Sequence, residues 1–369
     1  MKIAIVHDEL MRRGGAEQVV LCFHKAFPEA TIYTMAYQPE ATYPEFKNCA
    51  IKISWYNKII SSEKLMKALF FPVGVLAMKQ LDVTGYDVVL MSSTYCAKYV
   101  KISPQTIVIN YCHTPFRLAW YPESYAEFLN AKGLKKIAYN FVIAMLKKID
   151  FKAAQRTNYF ITNAKEVGLR IKDKYQFKGE VPVIKPSAAI ENFYVSKTIK
   201  DYFLVVCRLE YYKKVDLVIA AFNELGLPLI VVGKGSKEQE LKAMAKSNIT
   251  FKQGLSATEL STLYAECKGL VFPQEEDYGI TPLEAAASGR PVIAFGKGGV
   301  WETMIPYKED ASRATALFFD EQTPESLISA INKFNTLNFD PIFIRKHAEL
   351  FRSEVFINQI KKFVNSKVI

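Results

Sequence analysis

Two carboxylates in the C-terminal half of the chain, Glu276 and Glu284, lie eight positions apart with a glycine, Gly279, between them. Residues 269–273 predict a short buried strand, and residues 280–288 are rich in helix-forming Leu and Ala. Carboxylates fixed in such a strand–loop–helix segment can accept hydrogen bonds from pairs of hydroxyl groups. We expect Glu284 to bind a vicinal diol such as a ribose, and Glu276 to bind the hydroxyls of a hexose.

The predicted helix begins beside Gly279, so the backbone N–H groups at its start, including that of Ile280, face the preceding loop. Free N–H groups and the positive end of the helix dipole favour a phosphate or pyrophosphate. A glycine lets such a ligand come close to the backbone. The same spacing of glutamates is also typical of an acidic surface loop before an ordinary core helix, so the neighbouring residues decide between the two interpretations.

A pair of cations lies earlier in the chain. Arg208 ends a predicted strand over 202–206, and Lys213 follows five residues later at the entry to the next predicted helix. Two fixed cations facing a diphosphate would neutralise the charge that develops as the anomeric bond of a sugar breaks. An isolated pair of this kind is usually a solvated helix start, but next to the carboxylate motif we interpret it as a diphosphate site.

The N-terminal half contributes a glycine pair and a histidine. Gly14 and Gly15 stand between a predicted strand over 2–6 and an amphipathic helical run, where backbone amides can approach a phosphate or an acceptor. A dinucleotide fingerprint and a Walker A sequence are both absent. His113 follows a predicted strand over 106–111, and ligands gather at the carboxyl ends of parallel strands. A lone histidine is otherwise more often structural than catalytic.

These motifs follow the order found in family 4 glycosyltransferases. Residues 272–285 and 289–294 resemble the donor-site signature of that family, residues 205–216 resemble its Arg-Leu-x-x-x-Lys element, and residues 7–17 resemble its first glycine-rich loop. The resemblance implies a GT-B fold, an α/β architecture in which two Rossmann-like doubly wound parallel-sheet domains face a central cleft. It also implies retaining, metal-independent hexosyl transfer from a nucleotide sugar, with His113 facing the donor sugar.

The chain departs from the family pattern at two positions. Lys214 stands where the family often has glycine, and Ala316 where a Thr-Gly pair is common. Neither position touches the expected chemistry, although the second bears on the nucleotide pocket.

The chain of 369 residues is long for one core, which predicts two domains. Strand–helix alternation occurs twice, with strands predicted near 2–6, 31–34, 87–91, 106–111 and 158–161, and then near 202–206, 228–232, 249–251, 269–272, 292–294 and 316–319. We expect an acceptor-binding domain over 1–185 and a donor-binding domain over 186–349. A final helix over about 350–369 is expected to pack back on the first domain, as is usual in chains of the GT-B fold.

The formal net charge of +11 calls for an anionic partner or surface. The basic residues form two clusters, Lys52, Lys58, Lys64, Lys67 and Lys79, and Lys132, Lys135, Lys136, Lys147, Lys148, Lys152 and Arg156. Basic residues interleaved with aromatic ones suit an anionic membrane face that bears a polyprenyl-diphosphate-linked acceptor. A solvated face around a core helix explains them equally well. No nucleic-acid-binding motif is present, so we expect no nucleic-acid partner.

The six cysteines are dispersed, which predicts reduced thiols in a cytosolic protein. No Asp-x-Asp sequence is present to hold a cation, so we expect no metal and no cofactor, with Lys and Arg in the metal's place. The N-terminus does not read as a signal peptide, and no apolar run is long enough to span a bilayer. We therefore expect a cytoplasmic protein, peripheral on the inner face of the cytoplasmic membrane.

The favoured function is transfer of mannose from GDP-mannose to a lipid-linked saccharide during surface-polysaccharide assembly. The turn at His113, with Phe116, Arg117, Trp120 and Tyr121 after it, resembles the subgroup in which GDP-mannose users are frequent. Alternatives are a UDP-hexose-dependent enzyme of the same fold, a sugar-nucleotide epimerase or a phosphorylase. A non-catalytic glycolipid-binding protein that kept the fold is the alternative from outside the enzymes.

Overall fold

The strand–helix alternation of the sequence builds two separate parallel sheets in the computed structural model of the chain. The model describes residues 1–60, 65–66 and 69–368. The chain divides into two units, Met1–Ser187 with Phe356–Ile369, and Ala188–Val355. Lys64 and Lys67, which belong to the first predicted basic cluster, lie outside the described residues.

The first unit is built on six parallel strands. They are β1 (Ile3–His7), β2 (Thr31–Thr34), β3 (Ile51–Ile53), β4 (Val88–Ser93), β5 (Ile107–Cys112) and β6 (Tyr159–Thr162). Their spatial order is β3-β2-β1-β4-β5-β6. Strands β1 and β4 are buried along their whole length, as expected for central strands that are covered by helices on both faces.

Before Ser187, the described helices of this unit include α1 (Gly15–Ala26), α2 (Val75–Gln80), α3 (Arg117–Trp120), α4 (Ala126–Leu129), α5 (Gly133–Ala154) and α6 (Lys165–Tyr175). Single turns lie at Pro44–Asn48, Trp55–Lys58, Phe70–Gly74, Ala97–Tyr99 and Pro122–Ser124.

The second unit repeats the architecture. Its strands are β7 (Phe203–Val206), β8 (Leu229–Val232), β9 (Ile249–Lys252), β10 (Leu270–Phe272), β11 (Val292–Phe295) and β12 (Ala316–Phe319), in the order β12-β11-β10-β7-β8-β9. Its helices are α7 (Val215–Leu225), α8 (Glu238–Met244), α9 (Ala257–Glu266), α10 (Ile280–Ala287), α11 (Val300–Thr303), α12 (Pro324–Phe334) and α13 (Pro341–Ala348). Single turns lie at Ile190–Asn192, Tyr211–Lys213, Ala311–Arg313 and Glu349–Phe351.

The last helix, α14 (Ser353–Asn365), returns to the first unit. Its residues Phe356, Ile360 and Val364 lie in the same apolar cluster as Phe23 and Ile109. The spacing of these three residues places them on one face of the helix, and the Phe356 ring stacks on Phe23 with ring centroids 6.1 Å apart.

The prediction of two doubly wound parallel sheets is confirmed, and every predicted strand is present within one or two residues of its predicted bounds. Strand β3 was missed because it has only three residues and two of them are exposed, so it carries no apolar run. In both sheets the strand order reverses beside the first strand, at β1/β4 and at β7/β10. Ligands of doubly wound sheets bind at such switch points, outside the carboxyl ends of the strands.

Candidate active site

The segment that carries Arg208 and Lys213 leaves the second sheet at the end of β7, beside the β7/β10 switch point. Two glycines after β8 support it from one side. A Cβ atom on Gly233 would lie 1.9 Å from the carbonyl oxygen of Cys207, and one on Gly235 would lie 2.4 Å from that of Leu209. Only glycine permits this close approach of two backbones, so these residues position the Arg208 loop.

Within the loop, the two predicted cations are held differently. Arg208 is exposed, and its Nη2 donates a hydrogen bond to Tyr212 Oη at 2.6 Å. Lys213 is almost completely buried, and its Nζ forms an ion pair with Oε1 of Glu276. The structure thus joins the cation motif and the carboxylate motif through one direct contact.

Lys214 follows with a φ of +55°, at the start of α7. This is the left-handed region that glycine adopts without strain, which gives a physical reason for the glycine that the family often has at this position.

Glu276 lies in the loop between β10 and α10, and a second glycine pair, Gly298 and Gly299 after β11, packs against the backbone of this loop. The N–H of Gly299 donates to the carbonyl oxygen of Glu276 at 2.8 Å. A Cβ atom on Gly299 would lie 2.3 Å from the carbonyl oxygen of Asp277, and one on Gly298 would lie 2.5 Å from that of Glu276. Side chains larger than hydrogen would force the backbone at Glu276 and Asp277 to shift.

Gln274 adds a third contact to the Glu276 carboxylate. Its Nε2 donates to Oε1 of Glu276 at 3.2 Å, and its side chain is buried. Gln274 lies within the donor-site signature at residues 272–285 but had no predicted role, and Gly298 and Gly299 lie outside every predicted motif. The Gly-Gly pair after a predicted strand was the available signal for the second and third of these.

Helix α10 begins directly after Gly279, as predicted, with Ile280 as its first residue. Gly279 has a φ of +82°, and a Cβ atom there would lie 3.2 Å from Cζ of Phe272. The backbone turn into α10 therefore requires glycine for its conformation. The predicted role of the Gly279 and Ile280 N–H groups toward a phosphate remains a prediction.

Glu284 lies one turn into α10 and receives a hydrogen bond from Tyr264. The Tyr264 Oη donates to Oε2 of Glu284 at 2.6 Å. Burial raises the pKa of Glu284 to about 7, and the hydrogen bond from Tyr264 acts in the opposite direction. Tyr264 is fully buried on α9, which starts with a capping box formed by Ser256 and Glu259. Tyr264 lies 20 positions before Glu284 on another helix, so the sequence carries no spacing signal for this contact.

His113 lies at the end of β5 in the first unit. Its Nε2 shares a hydrogen bond with Ser92 Oγ at 2.9 Å, and its backbone N–H donates to Ser93 O at 3.0 Å. Burial lowers the pKa of His113 to about 3, with a further contribution from His7. The imidazole is therefore neutral near pH 7, and it is suited to exchange hydrogen bonds with a hydroxyl and not to act as a cation.

The glycine pair of the first unit lies at the start of α1. Gly14 is the residue before the helix and Gly15 is its first residue. The Glu17 side chain folds over this turn, since a Cβ atom on Gly14 would lie 2.6 Å from Oε2 of Glu17. Arg12 pairs with Glu17 at 3.2 Å, so the turn presents charges of both signs.

Two acidic residues, Asp8 and Glu9, follow β1 within the glycine-loop motif. Asp8 accepts hydrogen bonds from the backbone N–H groups of the turn after β4, at Thr94, Tyr95, Cys96 and Ala97. Burial acts to raise the pKa of Asp8, but His7, the hydrogen bonds from Thr94 and the Lys98 charge outweigh it and hold the pKa below its usual value. Asp8 therefore fixes the turn beside the β1/β4 switch point.

Glu9 is buried, and this burial raises its pKa to about 7. The positive charge of the nearby Arg12 guanidinium acts to lower the pKa but does not outweigh the burial. Its carboxylate accepts hydrogen bonds from Arg12 and from the hydroxyl of Tyr95. This contact ties the glycine loop to the turn after β4.

Among residues 1–60, 65–66 and 69–368, no group of three or more His, Cys, Asp or Glu side chains is arranged to hold a metal ion. Over the same described residues, no helix has both the length and the apolar character needed to cross a membrane.

Residues 188–345 match the family model described as Glycosyl transferases group 1. The match covers most of the second unit, which carries the cation and carboxylate motifs, and this unit is therefore similar to glycosyltransferases of group 1. The resemblance predicted from the sequence is confirmed at this level.

Two relatives at low identity are mannosyltransferases by name. O-antigen chain mannosyltransferase C of Escherichia coli is 27% identical over 225 residues, which make up 53% of this chain and 58% of that protein. Alpha-1,3/1,6-mannosyltransferase ALG2 of Candida glabrata is 24% identical over an alignment of 427 residues that covers 96% of this chain and 90% of that protein.

Among solved structures, HepE of Anabaena in complex with UDP and glucose is similar to the whole chain. The TM-score is 0.73 at 16% identity, and the match covers 99% of this chain and 100% of that one. This likeness confirms the GT-B fold class.

Proposed function

We infer that the protein is a retaining hexosyltransferase of family 4 that transfers mannose from GDP-mannose to a lipid-linked saccharide. The observation that carries this inference is the ion pair between Lys213 and Glu276, which lies beside Arg208 at the switch point of the second sheet. A cation for a diphosphate and a carboxylate for sugar hydroxyls are the two groups that a nucleotide-sugar donor requires side by side. The names of the two mannosyltransferase relatives support mannose as the sugar.

Each site residue has a defined task in this proposal. Glu284 accepts hydrogen bonds from the ribose, and the N–H groups of Gly279 and Ile280 face the diphosphate. Arg208 and Lys213 neutralise the charge that develops on the diphosphate as it leaves. Glu276 binds the hexose hydroxyls after Lys213 has turned from it to the diphosphate.

The proposed transfer retains the anomeric configuration by attack on the face from which the diphosphate leaves. The bond between the anomeric carbon and the diphosphate oxygen breaks, and the acceptor oxygen forms the new bond to that carbon. The proton of the acceptor hydroxyl passes to the leaving phosphate oxygen. Neutral His113 would exchange hydrogen bonds with the donor sugar, and Gly14 and Gly15 would line the acceptor or phosphate side.

We propose that no metal and no cofactor take part, because Arg208 and Lys213 supply the positive charge. Full transfer activity in the presence of a strong chelator is the expected result. Activity that disappears with the chelator and returns with a divalent ion would contradict this part of the proposal.

The first experiment is calorimetric titration of the protein with GDP, UDP, ADP and dTDP, without added metal. We expect GDP to bind, and we expect Glu284→Ala to abolish that binding while the far-ultraviolet circular dichroism stays unchanged. If none of the four nucleotides binds, the donor site is wrong and the glycolipid-binding alternative takes its place. Conversion of a nucleotide sugar without an acceptor would instead identify an epimerase, and a requirement for inorganic phosphate would identify a phosphorylase.

A UDP-hexose donor is the second candidate. It is favoured by the solved structure of HepE, which has the same fold and was determined with UDP and glucose. Binding of UDP and not of GDP in the titration above would select it.

The proposed acceptor is a polyprenyl-diphosphate-linked or other saccharide of surface-polysaccharide assembly. The name of the Escherichia coli relative, an O-antigen chain mannosyltransferase, supports this class. Such an acceptor is presented at the inner face of the cytoplasmic membrane, where we propose that the protein works as a peripheral, cytoplasmic enzyme.

A further inference from the structure

Helix α5 presents a row of apolar side chains to solvent. Its C-terminal part packs on the first unit through Val142, Leu146 and Ala153. A different face carries exposed apolar residues at helical spacing, namely Leu134, Ile137, Phe141 and Met145, which we call the α5 stripe. Leu134 is 85% exposed and Phe141 is 63% exposed. Single exposed apolar residues are ordinary, but a contiguous row of this kind marks an interaction surface.

The segment that carries the α5 stripe has charges of a single sign. The sequence has no acidic residue between positions 128 and 149, and this segment holds five lysines, Lys132, Lys135, Lys136, Lys147 and Lys148. At 100° per residue, Lys148 and Lys152 continue the row of the α5 stripe toward the C-terminal end of the helix, and both are exposed. One helix face is thus apolar for three turns and then basic.

This combination selects the occupant of the surface. An interfacial helix buries an apolar face at the level of the lipid headgroups, while lysines extend their ammonium groups to anionic phosphates. A second copy of the chain would instead bring two lysine-rich surfaces against each other, which is electrostatically unfavourable. We propose that the α5 stripe and its lysines dock the first unit on an anionic lipid surface.

The proposal rests on the peripheral membrane location of the proposed function, for which it names the surface, and not on the donor site. Docking here would bring the first unit to the membrane that presents a lipid-linked acceptor. It can fail while nucleotide binding holds, and it can hold while nucleotide binding fails.

The test is flotation of the full chain with vesicles of phosphatidylcholine alone or mixed with phosphatidylglycerol. We expect binding only to the mixed vesicles, with weaker binding at high salt. The double variant Ile137→Gln with Phe141→Gln should lose at least about tenfold in vesicle affinity. The matched control is Leu169→Gln, because Leu169 is likewise 63% exposed in the first unit but lies on α6, and it should bind as the wild type does.

The same flotation test examines the role of the lysines with the variants Lys148→Gln and Lys152→Gln. The control is Lys172→Gln, which removes an exposed lysine from α6. Loss of binding in the first two and not in the control is expected. Equal binding of wild type and the α5 stripe variant, or absence of any preference for anionic lipid, would overturn the proposal. Self-association of the wild type that the α5 stripe variant abolishes would also overturn it, in favour of an interface between copies of the chain.

Discussion

At the scale of single residues, the burial of Glu284 favours its protonated form, whereas its proposed role as a hydrogen-bond acceptor requires the charged form. Its burial raises the pKa to about 7, so an appreciable fraction is protonated near neutral pH. A carboxylate that accepts two hydrogen bonds from a ribose must be charged. Tyr264 donates to the carboxylate at 2.6 Å and favours that charged form. In the proposed donor site, Tyr264 is thus a positioning residue whose effect depends on pH.

Nucleotide affinity is expected to fall as the pH drops below about 7, by at most tenfold per pH unit, because protonation removes an acceptor from Glu284. Tyr264→Phe removes a hydrogen bond to the charged form, so the pKa rises further and the profile moves to higher pH. Calorimetric affinities between about pH 5.5 and 8.5 measure this. Glu284→Gln cannot titrate and should bind weakly without this dependence. A flat wild-type profile, or coincident profiles of wild type and Tyr264→Phe, would contradict the prediction.

Lys213 is the second residue whose removal has a defined consequence. Lys213→Met keeps the length of the side chain but removes the charge that faces Glu276 and, in the proposed reaction, the diphosphate. The transfer rate should fall by at least about 100-fold, since one electrostatic contact to the developing charge is lost. The measurement is kcat with donor and acceptor at saturation.

The matched control for that measurement is Lys242→Met, which breaks a surface pair with Glu238 on α8. It should leave kcat unchanged. Equal rates for the two variants would remove Lys213 from the reaction.

The residues of the candidate site that sequence reasoning found are those whose spacing is local. Glu276, Gly279 and Glu284 belong to one loop and helix, so their mutual placement follows from helix geometry. The role of Gln274, within the same loop, and the contact from Tyr264, on a second helix, were missed because both depend on how side chains pack around the two glutamates. No spacing rule encodes such contacts, and only the folded chain displays them.

At the scale of elements, two glycine loops support the candidate site. They follow β8 and β11, the strands on either side of the β7/β10 pair in the second sheet. The loop after β8 packs on the Arg208 segment, and the loop after β11 packs on Glu276 and Asp277. Both supports lie outside the two motifs that they hold. In the proposed reaction, these loops would act on donor binding by positioning Arg208 and Glu276.

Gly299→Ala tests this role. Its Cβ atom would lie 2.3 Å from Asp277 O and 2.6 Å from Tyr278 Cα, so the backbone must shift. We expect nucleotide affinity to fall by about tenfold or more, because the shift would displace Glu276 and the rest of the loop between β10 and α10. Titration calorimetry measures the affinity, and Gly85→Ala is the control, because a Cβ atom there meets nothing within 4 Å. An affinity of Gly299→Ala within twofold of the control would show that the loop tolerates the shift.

The fold was predictable from sequence to a greater extent than the site. Buried parallel strands are apolar along their whole length, and runs such as 203–206 and 229–232 therefore stand out between helical segments. Strand β3 did not stand out in the sequence, because an exposed edge strand of three residues needs no apolar pattern. The order of strands within each sheet also came only from the structure, because it depends on which neighbours pair.

At the scale of the whole molecule, each unit has its own core. Every cluster of buried apolar residues among the described positions lies inside one unit, with Phe356, Ile360 and Val364 of α14 counted in the first. Segments that share a core unfold together, and separate cores open separately. A destabilising substitution in the core of the first unit should therefore affect that whole unit and should leave the proposed donor site in the second unit unchanged.

Asp150 is the residue at which this can be tested. Its carboxylate is fully buried, pairs with Lys98 at 2.9 Å and accepts hydrogen bonds from Tyr99, Trp120 and Tyr175. Asp150→Ala leaves the Lys98 charge and three donors without their acceptor, at a cost of about 3–5 kcal/mol to the first unit. Hydrogen exchange should accelerate in β4, β5 and β6, while GDP affinity and exchange in β7 to β12 stay unchanged. Glu40→Ala, which removes an exposed pair with Lys47, should leave exchange in both units unchanged. If exchange in Asp150→Ala rises equally in β7 to β12, the two cores are one cooperative unit and the prediction is wrong.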